Sequence, residues 1–148
     1  MNLLLITITL LSLTTLQVRL PAMFGLRLEF LPAFVAYAAL TFRRGNALFL
    51  ALVAGFAQDA LSAAPFGITA LAYGISAALL TGLRGVLDRD IPPLQFASGA
   101  LVSAAASMAA FFVLGFSFKI LLVAGLAGVI TPFFFFAADY TRYVVKTS

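Results

Sequence analysis

Asp59 is the one charged side chain in the stretch GFAQDALSAAPFG, residues 55–67. An acid in such surroundings has two chemical uses. It can accept hydrogen bonds as a fixed carboxylate, or it can carry a proton or cation with Gln58 beside it lining a cavity. Burying a charge at a helix centre costs about 2.5 to 3.5 kcal/mol on the most lenient insertion scale, so a bare acid at depth calls for a partner or a task. The other acids with chemical potential lie in polar connectors. Asp88, Arg89 and Asp90 reproduce the acid-x-acid spacing with which nucleotide-sugar transferases hold a metal, but the connector of residues 84–93 is too short to carry a nucleotide site and reads as a solvated turn. Asp139 and Arg142 stand three apart, the spacing of an ion pair on one helix face.

The sequence contains no Cys, His or Trp. That removes thiolate nucleophiles, imidazole bases, disulfides and nearly every transition-metal ligand set, so neither catalytic residues nor a metal site nor a cofactor is expected. Hydrophobic residues make up 64% of the 148 positions and charged ones 9%, and the mean hydropathy is +1.14. A soluble domain is only about half apolar, so the composition is that of an integral membrane protein forming a single membrane-embedded domain over 1–148. The net charge of +4 comes from nine basic residues scattered over short connectors. Such scatter makes no nucleic-acid footprint and suits membrane topology.

Six apolar runs are separated by polar or Pro/Gly connectors: residues 2–18, 30–42, 47–61, 66–83, 94–118 and 120–138. The first has no basic segment ahead of it and reads as a retained helix, not a cleaved leader. The last carries Pro132, which predicts a kink or an early end before a short polar tail. The expected fold is all-α and polytopic, with six transmembrane helices in a compact bundle. With the N-terminus inside, six basic residues (Arg43, Arg44, Arg84, Arg89, Arg142, Lys146) fall on the inner side and three (Arg19, Arg27, Lys119) on the outer. This split places both termini in the cytoplasm.

Ala70, Gly74, Ala78 and Gly82 recur at four-residue spacing and predict a smooth face on the fourth helix, with Leu80 pointing outward to lipid. Gly99, Ser103 and Ser107 repeat the device on the fifth, and Ala124 and Gly128 on the sixth. Bundle packing is the simplest use of all three. The first run has no Gly or Ala and predicts a loosely packed helix. Asp59 lies about 13 residues beyond Asn46, roughly 20 Å into a core about 30 Å thick, beside the turn that opens the fourth helix. There a carboxylate can accept from the free N–H groups of that helix. No second acid or base lies in a helix core, so a clamp across the hairpin outranks a proton relay.

Gly55, Asp59, Ser62, Pro65, Gly67, Ala70 and Leu71 stand at the spacing of the central hairpin of the MreD family of bacterial rod shape-determining membrane proteins, which this segment resembles. The likeness is densest over residues 47–83, and Ala63 departs from the Gly that the family often carries there. The resemblance implies a non-catalytic scaffold of the cell-elongation complex in the bacterial inner membrane. It also implies MreC as the partner, with RodA, its penicillin-binding transpeptidase and MreB in the wider assembly and lipid around the bundle. The alternative is a substrate-binding S-component of an energy-coupling-factor vitamin transporter, a similarly shaped six-helix protein. Such components dock through Ala-xxx-Ala on the first helix, a motif absent from residues 2–18.

Overall fold

The computed structural model describes residues 3–19, 30–61, 65–87, 90–114 and 119–147. Prolines start two of its helices, where a missing N–H is harmless and the fixed φ suits the first turn. Pro32 stands in the first turn of one, and Pro92 opens another. Six helices are present among the described residues: α1 (Leu3–Arg19), α2 (Leu31–Thr41), α3 (Arg44–Leu61), α4 (Ile68–Leu83), α5 (Pro92–Leu114) and α6 (Lys119–Thr147). Their order matches the six apolar runs. Two boundaries differ from expectation. α3 begins at Arg44, within the predicted polar turn, and α6 neither stops at Pro132 nor ends before the tail but continues through both to Thr147. Pro132 removes only the bond to the carbonyl of Gly128, and a helix packed along a neighbour tolerates that loss.

The bundle is organised around α2, which touches each of the other five helices. Every residue from Leu31 to Leu40 is buried. A helix apolar on all sides belongs in a core, and the small side chains of Ala33, Ala36, Ala38 and Ala39 let neighbours approach from several directions. α3 pairs with α4 and α5 with α6, with α4 joining the two hairpins through α5. Among the described residues α1 meets α2 and α3, with Ile6, Leu10 and Leu13 buried and Ile8 and Leu16 exposed.

α2 has 11 residues and α4 has 16, whereas a bilayer core asks for about 20. Among the described residues no helix is long and apolar enough to cross a membrane. The six expected spans are therefore six helices, of which none meets both conditions.

The tightest helix approaches are at three glycines. A Cβ on Gly55 of α3 would stand 2.2 Å from the Ala70 Cα of α4, and one on Gly99 of α5 would stand 1.7 Å from Thr131 Oγ1 of α6. At Gly128 of α6 it would meet Ala100 Cβ and Phe96 at 3.1 Å. The four-residue stripe of α4 behaves differently along its length. Ala70 is buried in the seam, Gly74 faces the flexible end of Leu52 at 3.3 Å, Ala78 is half-buried, and Gly82 is exposed with nothing within 4 Å. The buried face of α4 instead runs through Thr69, Ala70, Ala72, Tyr73, Ser76, Ala77 and Leu80. Leu80 is 3% exposed, so it faces the core and not the exterior. α4 packs against α2, α3 and α5 together, and its buried arc is wider than one stripe.

Gly55→Ala and Gly99→Ala should each force helices apart and lower the melting temperature of the purified protein by several degrees, as overpacking of about 1 to 3 kcal/mol does. Gly82→Ala should leave it unchanged or raise it slightly, since an open helical site gains from the better helix former. Equal melting of all three variants would show that the glycines are not close approaches.

Candidate functional site

The α3–α4 hairpin is held at its tip by Asp59. α3 buries Ala47, Ala51, Gly55 and Asp59, four positions at strict four-residue spacing, so a smooth strip of α3 ends in a carboxylate. With Gly55 backed against Ala70, that carboxylate meets the first turn of α4. Oδ2 accepts from the N–H of Gly67 at 2.8 Å and of Ala70 at 3.3 Å, and Oδ1 accepts from the N–H of Thr69 at 3.1 Å. The N–H of Ile68 reaches the Pro65 carbonyl at 3.4 Å, and that of Leu71 reaches the Gly67 carbonyl at 2.9 Å. Every N–H from Gly67 to Leu71 thus has an acceptor, which answers the demand that a helix start makes in apolar surroundings. Asp59 does from another helix what an N-cap side chain normally does locally, and its negative charge faces the positive end of α4.

Gly67 makes this geometry accessible. Its N–H donates to Asp59 while its φ is +102°, and a Cβ there would meet nothing within 4 Å. The demand for glycine is therefore a backbone one. Pro65 is exposed, Gln58 is half-buried, and Ser62 lies outside the described residues. Phe56 and Phe66 stack at 5.3 Å across the hairpin tip, both exposed. Asp59 itself is 3% exposed, so its three donors replace solvent.

A second cap stands at the other end of the bundle. Arg84, just past α4, donates through Nη2 to the carbonyls of Ala39 and Phe42 at the end of α2. A cation there complements the negative end of the helix and satisfies carbonyls that have no partner of their own. Beside it Tyr37 is enclosed edge-on by Phe42, Phe134 and Phe135, with ring centroids 6.1, 5.7 and 5.1 Å away, and its hydroxyl donates to Asp139 Oδ1 at 3.5 Å. Arg84 entered the sequence reading only as a topology charge. Its position one residue beyond an apolar run was the signal, but the acceptors come from α2, 42 and 45 positions away in sequence. Asp88 and Arg89 lie outside the described residues, and Asp90 is exposed.

Among the described residues no group of acids could hold a metal ion. The arrangement is one of structural capping, with charge placed where backbone groups need it. A model of the family described as rod shape-determining protein MreD matches residues 1–144. No curated protein and no solved structure matches the chain.

Asp59→Asn should keep one acceptor oxygen and retain partial stability and function. Asp59→Leu should strand several N–H groups and cost about 1 to 3 kcal/mol. A stable but wholly inactive Asp59→Asn protein would instead establish proton or cation carriage. Arg84→Met should destabilise by a similar amount, read as a lower melting temperature in detergent, because it leaves the carbonyls of Ala39 and Phe42 without a donor.

Proposed function

This chain belongs to the MreD family of rod shape-determining proteins, and we propose that it acts as a non-catalytic, multi-pass scaffold of the cell-elongation complex in the bacterial inner membrane. The match over residues 1–144 is the observation that carries the reading. In this role the bundle binds MreC and, through it, helps to position and regulate RodA and its penicillin-binding transpeptidase, with MreB in the wider assembly.

Membrane embedding is supported by the composition and by the outer face of the bundle. Phe49, Phe56, Phe66, Leu71, Ile75, Leu79 and Leu83 on and between α3 and α4 are all exposed. A surface of that kind suits lipid or another membrane helix. The shortness of α2 and α4 is compatible with a bilayer when their ends are satisfied by other parts of the protein. Arg84 and Asp59 provide that satisfaction. A scaffold also fits a hairpin locked by hydrogen bonds, since its value to partners lies in keeping a shape.

Purification of the tagged protein from its native membrane should recover the elongation proteins, MreC first. Recovery of an ATPase coupling module in their place would overturn the scaffold in favour of vitamin transport. The orientation is testable in the same strain, because the native chain has no cysteine. Gly45→Cys should be protected from an impermeant thiol reagent in intact cells and Pro65→Cys labelled. The reverse pattern would invert the topology.

A further inference from the structure

Positive charge collects where α2 ends and α3 begins. Arg43 and Arg44 are both exposed there, and the Phe42 carbonyl that receives Arg84 belongs to the peptide joining Phe42 to Arg43. Three guanidinium side chains therefore issue from one small region. Among the described residues none of them is bonded to a carboxylate, and Asp139, the acid of α6 at this end, receives the Tyr37 hydroxyl. Arg84 Nε and the hydroxyl of Thr41, two residues before Arg43, are both buried without a hydrogen-bond partner. Among the described residues, this region thus carries two buried donors that no acceptor satisfies.

The surroundings define what kind of anion would fit. Gly55 faces Ala70 and Leu52 faces Gly74, so the antiparallel register of α3 and α4 brings Arg44 level with the last turn of α4. Gly45 on one helix and Gly82 on the other are both exposed, with nothing within 4 Å of where a side chain would begin. Cations and open backbone thus adjoin an apolar wall, because Leu79, Leu83 and Val86 flank Arg84 and Phe49 follows Arg44, all exposed. On α6, Tyr140 and Tyr143 are exposed just beyond Asp139, the placement of aromatic side chains at a headgroup layer.

We propose that this end of the bundle binds an anionic phospholipid. The planar guanidinium groups of Arg43 and Arg44 hold the phosphate, Arg84 adds a fixed charge beside it, and the acyl chains lie along Leu79, Leu83 and Phe49. A free phosphate would satisfy the same cations. The adjoining apolar wall is what selects the lipid. The site rests on the membrane reading above.

The test uses the full chain in phosphatidylcholine vesicles, with spin-labelled phosphatidylglycerol and spin-labelled phosphatidylcholine as probes. The parent should prefer phosphatidylglycerol, and R43Q/R44Q, which alters two exposed side chains, should lose about fivefold of that preference for each arginine removed. An unchanged preference in R43Q/R44Q would overturn the site. Loss of the parent's preference on adding millimolar inorganic phosphate at constant ionic strength would assign the cations to a free anion and overturn the lipid. Extraction of the protein from the vesicles by alkaline carbonate would refute the membrane reading, and the site with it.

Discussion

Backbone polar groups at helix ends must find partners, and in a chain this apolar the solvent that usually supplies them is scarce. The architecture follows from how that demand is met. At the start of α4 it is met by Asp59, and at the end of α2 by Arg84. Each charged group belongs to a different part of the chain from the helix end that it serves. Each cap therefore also joins two elements: Asp59 ties α3 to α4, and Arg84 ties the end of α4 to α2. A short central helix enclosed on every side becomes tenable because its last carbonyls are not left bare.

Packing and capping depend on one another along the hairpin. Asp59 reaches the first turn of α4 only because Gly55, one turn earlier, lets the two backbones come together at Ala70. A larger residue at 55 would withdraw the carboxylate as well as crowd the seam. Left-handed Gly67 stands at the same point, with its N–H donating to Asp59. At the α5–α6 seam Thr131 is turned back on the Ala127 carbonyl at 2.7 Å, so that its hydroxyl is satisfied while its bulk fills the space left by Gly99. Both hairpins thus use a close glycine approach, and the α3–α4 hairpin adds a buried charge.

The match over residues 1–144 identifies a shape-determining family, and the buried acid is engaged by three backbone donors. In the proposed scaffold role, a hairpin tied in this way and an apolar exterior would together offer a surface to other membrane proteins. Among the described residues, α1 packs on α2 and α3.

Much was determined by the sequence alone: six helices, the reason an acid is tolerated at 59, and the family. Those readings rest on local signals, such as apolar runs, breakers and the spacing of a hairpin motif, which survive without knowledge of neighbours. The small-residue strip Ala47, Ala51 and Gly55 leading to Asp59 is also legible in the spacing. The tertiary structure decided the rest. It made α2 the centre of the bundle, turned Leu80 inward, left Gly82 in the open, carried α6 through Pro132 and gave Arg84 the carbonyls of α2. A periodic pattern states which side chains share a face but not how wide an arc the neighbours cover. Burial on α4 was set by three helices at once, and the cap on α2 by a residue more than forty positions away.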